Sequence, residues 1–286
     1  MTASTASAPP VPPAGLRGFI RGHVHRLVGN GAPVAAARAP DDPGLFGPGS
    51  AAWAVHGDFP AMMVGGVSAL LLQMLHPGAL AGVWDHSDFR GDMPGRLKRT
   101  AGFIAGTTFG GTAHATALID RVRRVHDHVS GMLPDGTPYS ANAPDLLTWV
   151  HVAETDSFLR AHLRYRDPNF PARDQDRYLQ EMTVLARRLG AGRVPASRRE
   201  IAAYYREVQP ALRFDDRTRA VADALFTQAR RDSIAGTTLM DAAVDLLPPW
   251  AQQLHGRQVS ALRRPAIRAA VRGGGQVLRW ALRPAR

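Results

Sequence analysis

The run TAHATALIDRVRRVHDHVS, residues 112–130, holds the side chain with the most chemical potential in this chain. Leu118, Ile119, Val122, Val125 and Val129 recur there at helical spacing and mark one buried face. His126 lies one turn from Val122 and from Val129, so it shares that face, whereas His128 falls with Arg121 and Arg124 on the charged side. Desolvation among apolar neighbours disfavours protonation of an imidazole. It leaves a nitrogen lone pair free for a metal, a haem iron included. The same spacing also describes a core histidine bonded to a main-chain carbonyl, and the pattern alone does not choose between the two.

Three further groups have chemistry within reach. In GRLKRTAGFIAGTTFGG, residues 95–111, Arg96, Arg99 and Thr100 stack on one helical stripe. Such donors can bind an acidic group, or stabilise negative charge as it builds on dioxygen. A solvated basic face explains the spacing equally. In LLTWVHVAETDSFL, residues 146–159, Leu147, Val150, His151, Glu154 and Phe158 form a stripe on which His151 and Glu154 are spaced to hydrogen-bond. They can orient a ligand from behind or simply satisfy each other. In LLQMLHPGALAGVWDHSDFR, residues 71–90, His76–Pro77 ends an apolar helix, and Trp84, Asp85, His86, Ser87 and Asp88 follow as a polar loop.

Absent motifs narrow the chemistry. The chain has no cysteine, which removes thiolate nucleophiles, disulfides, iron–sulfur clusters and thiolate-ligated haem. It lacks HExxH, GxSxG and the phosphate-binding GxxxxGK[ST] loop. With four glutamates (Glu154, Glu181, Glu200, Glu207) and no ExxH pair, a di-iron carboxylate cage has too few ligands. Helices with histidines and none of those motifs leave haem as a natural cofactor.

Helices must position these groups. Apolar residues recur at helical spacing over 59–75, 95–110, 112–130, 144–164, 174–189, 197–208, 215–231, 236–246, 260–270 and 275–283. Ser197 with Glu200 fits a capping box, and Gly190 ends the run from Asp174. Alternating β-branched runs are nearly missing and no internal repeat is visible. The expected fold is all-α, one multi-helix bundle; the resemblance described below adds a haem pocket in its core. The expected divisions are a low-complexity segment and short basic helix at 1–50, a helical domain at 51–256, which that resemblance makes catalytic, and a basic amphipathic tail at 257–286.

The chain has 286 residues, 45% of them hydrophobic, enough for a substantial core. Its net charge of +11 is carried almost wholly by arginine, without zinc-finger or RNA-binding signatures, so no nucleic-acid partner is expected. Residues 61–84 are apolar but are broken by Gln73, His76 and Pro77, which argues for a core helix over a membrane span. No charged and then apolar leader opens the chain, so a cytoplasmic location is expected. The arginine-rich stretch ALRRPAIRAAVRGGGQVLRWALRPAR suits contact with an anionic membrane.

In order and spacing, HPGALAGVWDHSDFR (76–90), GRLKRT (95–100), FGG (109–111), RRVHDHVSG (123–131), PDGTPYSANAPDLLTWVHVAETDSFL (134–159) and LPPWAQQLHG (247–256) resemble the catalytic domain of the MpaB/rubber-oxygenase (latex-clearing protein) family. The resemblance implies an all-helical oxygenase holding haem b. It implies His126 as the axial iron ligand, from the H-x-x-V motif, and Trp149 with His151, the W-x-H pair, as shapers of the haem pocket. It further implies Arg96, Arg99 and Thr100 on the distal side, with arginine at 99 where the family motif carries lysine. Asp85 stands nearest to the family's acid/base glutamate. The implied co-substrates are dioxygen and a small apolar, lipid- or terpenoid-like molecule. Two other readings stay open: a haem or hydrophobic-ligand binder without turnover, and a basic membrane-surface protein.

Overall fold

Caps and prolines divide the chain into helices more finely than its apolar pattern suggests. The computed structural model describes residues 41–283 apart from Arg90, together with Gly15, Arg17, Gly18, Gly22 and Ala39. The low-complexity start and nearly all of the basic stretch at 16–28 lie outside the described residues. Twelve α-helices follow in the described part: α1 (Ala51–His56), α2 (Phe59–Gln73), α3 (Pro77–His86), α4 (Met93–Phe109), α5 (Thr112–His126), α6 (Pro144–Tyr165), α7 (Ala172–Leu189), α8 (Arg198–Val208), α9 (Asp216–Asp232), α10 (Ile234–Leu246), α11 (Pro249–His255) and α12 (Arg264–Leu282). A short antiparallel hairpin, β1 (Ser130–Met132) and β2 (Pro138–Ser140), interrupts them. The fold is the expected all-α bundle.

Helices α2 and α6 cross at its centre. Their contact depends on Gly65, where a Cβ would stand 2.9 Å from a Phe158 ring carbon and 3.1 Å from Phe158 Cα. Val64, Leu71 and Leu72 of α2 meet Trp149, Val152 and Leu159 of α6 in one buried cluster. Burying each aliphatic side chain contributes about 1.5–3 kcal/mol, so this seam anchors the bundle. Helices α10 and α12 pack on α2, and α7 packs on α1.

Four local expectations change. Pro77 starts α3: His76 is the N-cap, its Nδ1 accepting from the Gly78 amide, and proline sits at a position that needs no N–H donor. The residues read as a polar loop, Trp84 to His86, therefore end a helix. Helix α5 stops at His126, and the segment beyond turns into the hairpin through Asp135–Gly136, with Gly136 at φ +83°. The stretches 260–270 and 275–283 are one helix, continuous through Gly273–Gly275, and Gly275 faces α2 so closely that a Cβ there would stand 3.3 Å from the Pro60 side chain. Finally, Ser197 caps the Glu200 amide, but the Glu200 carboxylate turns to the Ala196 N–H; the reciprocal capping box belongs to Asp215 and Thr218.

No single helix among the described residues is long and apolar enough to cross a membrane. Helices α2 and α3 would pass together by length and composition, but they are bent 101° at their junction, and much of α2 is buried in the core.

Candidate active site

One end of the bundle encloses a cavity of about 470 Å³, within the roughly 300–1,000 Å³ of small-molecule and cofactor sites. Its walls are mostly apolar. Leu70 and Met74 come from the end of α2, Leu80 and Val83 from α3, and Leu146, Leu147 and Val150 from the first turns of α6. Val221 and Leu225 of α9 and Met93 of α4 complete the apolar lining. Six helices converge here because Pro77 turns α3 away from α2 and the hairpin joins α5 to α6.

Four polar side chains on α4 and α5 face the cavity: Arg96, Arg99, Thr100 and His126. His126 is half-buried, and its Nδ1 is buried without a hydrogen-bond partner. Burial pushes its pKa below the ordinary imidazole range, against an opposing pull from Asp127 and Asn142. The ring is therefore held neutral, with a lone pair available. Arg96 is half-buried, and its guanidinium has no ion-pair or hydrogen-bond partner among the described residues. Burial first, and then the neighbouring Arg99, lower its pKa from the usual guanidinium range. Arg99 is mostly exposed and pairs with Asp92 at 3.1 Å. The Thr100 hydroxyl donates to the Arg96 carbonyl at 3.2 Å, which leaves its oxygen lone pairs toward other partners.

An apolar cavity with one unsatisfied imidazole and one unpaired cation is chemically incomplete, since buried polar groups are normally paired. A ligand with an apolar body, an electrophilic centre and an anionic edge would complete it. Among the described residues no group of three or more His, Asp or Glu side chains is placed to hold a bare metal ion. A tetrapyrrole brings its own equatorial nitrogens and carboxylates and needs one protein imidazole, so the residues present fit that group.

The sequence model of the ER-bound oxygenase mpaB/B′/rubber oxygenase catalytic domain matches residues 53–280. The chain belongs to the MpaB/rubber-oxygenase family. No curated protein and no solved structure matches it. Membership makes this an oxygenase-family domain whose matched span runs through the cavity and on into α12.

Within this MpaB-family domain, Trp149, His151, Glu154 and Asp85 are not on the cavity lining. Trp149 is fully buried behind it, its indole N–H donating to the Gln73 carbonyl at 3.2 Å, and Gln73 itself reaches the cavity wall. His151 is buried deeper along α6, with its pKa pushed down to about 4 by desolvation. It does not bond Glu154. That carboxyl, pushed up to about 7 by burial, lies beside the Gln73 amide instead. Asp85 is also off the cavity. It accepts from the Tyr139 hydroxyl at 2.7 Å and faces Arg217 at 3.7 Å. Tyr139 in turn bonds His86 Nε2 at 3.2 Å, so Asp85 touches the cavity only through that relay.

His86 is the residue that spacing did not assign to the site. It lines the cavity from the last turn of α3, with Nε2 shared between the Ser130 carbonyl and the Tyr139 hydroxyl. Reading Pro77 as a helix start would have placed it on the same helix face as Val83. Val125, expected on the buried face of α5, is 56% exposed and stands at the cavity's edge.

Proposed function

We propose that the chain is a haem-b-dependent oxygenase acting on a small apolar substrate, with His126 as the residue that would hold the iron. The observation that carries this reading is the His126 imidazole, held neutral by burial and with no partner at Nδ1, on the wall of an apolar cavity that also holds the Arg96 guanidinium. His126 would hold the iron and Arg96 would pair with a carboxylate of the porphyrin edge. Haem supplies the capacity to activate dioxygen, which no side chain of this chain has.

The remaining roles fall to the protein. Thr100, with Arg96 and Arg99, offers polar contacts where negative charge collects, while the Leu80, Val83 and Leu146 walls exclude water and so strengthen them. The same walls select an apolar, lipid- or terpenoid-like substrate, since they offer it contact area and few hydrogen bonds. Asp85 and Tyr139 would act as positioning groups, holding His86 at the cavity edge. His86 is the rival ligand, but its Nε2 is already engaged.

Haemin added to the purified chain should bind one to one and give a Soret band, and the loaded protein should consume oxygen with unsaturated lipids or terpenoids. Stoichiometric binding without oxygen uptake under any reductant would favour a haem carrier. No binding would remove the cofactor assignment.

A further inference from the structure

A second cavity, also about 470 Å³, opens where the carboxyl end of α6 meets α12. Arginines dominate its wall: Arg164 and Arg166 from α6 and its cap, Arg272 and Arg279 from α12, and Arg283 just beyond. Among the described residues no carboxylate lines it. The nearby acids are already over-committed, with Asp245 serving Arg164, Arg264 and Arg268, and Asp58 serving Arg279 and, at 3.9 Å, Arg166. Arg272 is exposed and meets only the Arg164 carbonyl, at 3.0 and 3.3 Å.

The negative end of the α6 dipole explains why arginines gather near its last carbonyls. It does not explain why α12 sends further guanidiniums to the same spot. Those from α12 are held in place, Arg272 by the Arg164 carbonyl and Arg279 by the Asp58 carboxylate together with the Tyr165 carbonyl, which leaves Nη1 of each without a partner among the described residues. Fixed guanidinium forks with spare donors are preorganised for an oxyanion that can accept from several directions at once. Trp280 forms an apolar side of the same cavity, and Val277, 48% exposed, lies beside it on α12.

From this geometry we infer that the α6–α12 cavity is a binding site for a phosphomonoester, carried either by a lipid headgroup or by a soluble ligand. It is separate from the cavity around His126: Val150 and Arg164 lie on one helix, about 21 Å apart at 1.5 Å per residue. The proposal therefore stands or falls independently of the haem assignment.

The test uses the full chain and two probes: inorganic phosphate, followed by calorimetry, and vesicles of equimolar phosphatidylcholine and phosphatidic acid, followed by co-sedimentation against pure phosphatidylcholine. Arg272→Glu should weaken binding tenfold or more while leaving the melting temperature unchanged, since Arg272 is exposed and contacts only a carbonyl. Arg230→Glu, the same charge change on α9, should leave binding intact. Vesicle binding alone assigns the site to a lipid headgroup, and phosphate binding assigns it to a soluble ligand. Failure of the wild-type chain to bind either probe overturns the proposal. So does Arg272→Glu binding like wild type, or an equal loss in Arg230→Glu.

Discussion

Arg96→Met separates the two consequences of an unpaired cation in an apolar cavity. Arg96 is half-buried, its guanidinium has no partner among the described residues, and Arg99 disfavours its charge further. Methionine keeps much of the side-chain volume and relieves the desolvation, so stability should hold or rise by up to about 1 kcal/mol. For a domain of this size that corresponds to about 2–4 °C in Tm. Ligand binding should move the other way. A charge-assisted hydrogen bond to a carboxylate contributes about 1.5–3 kcal/mol, so haemin affinity should fall roughly 10- to 160-fold. Arg99→Met is the internal control, because Arg99 is mostly exposed and its charge is already shared with Asp92. Differential scanning fluorimetry of the apo protein and haemin titration at the Soret wavelength measure both quantities. Unchanged haemin affinity in Arg96→Met, or a larger loss in Arg99→Met, would refute the reasoning.

The other predictions concern the frame. Asp245 is almost fully buried among Arg164, Arg264 and Arg268, so Asp245→Ala strands their charges and should cost about 3–5 kcal/mol in chemical denaturation. Gly65→Ala drives a Cβ against Phe158 and the Ser157 carbonyl, and should cost about 1–3 kcal/mol by the same assay. His56 and His151 have folded pKa values lowered to about 3 and about 4, so each takes up a proton on unfolding below the ordinary value of 6.5. Glu154, raised to about 7, instead gives one up between its ordinary value of 4.5 and 7. The histidines outnumber it, so the unfolding free energy should fall as pH drops from 6.5 toward 4.5, by about 1.4 kcal/mol per pH unit for each net proton, and Tm with it. Glu154→Gln should steepen that fall, and a flat profile in both proteins would contradict the assignment.

What the sequence revealed of the site was whatever lay along one helix. Arg96, Arg99 and Thr100 share a stripe, and His126 shares a face with Ile119 and Val122, because helical spacing fixes those relations without tertiary information. The cavity gathers all four. His86 was hidden because its direction depends on Pro77 starting a helix rather than ending one. Trp149 and His151 sit on the right helix, but α6 turns them behind the cavity toward Gln73 and the core. The hairpin was missed although Asp135–Gly136 is a strong turn signal, since three-residue strands carry almost no alternation. The continuity of α12 overrides the cost of three successive glycines through packing on α2 and α10, which no local propensity registers.

The role of His126 can be read from the absorption spectrum of haemin-loaded protein in three forms: wild type, His126→Ala and His86→Ala. A Soret band is expected in wild type, surviving in His86→Ala and lost or strongly shifted in His126→Ala. Full haem occupancy with an unaltered spectrum in His126→Ala would contradict it, and loss confined to His86→Ala would move the ligand to the end of α3.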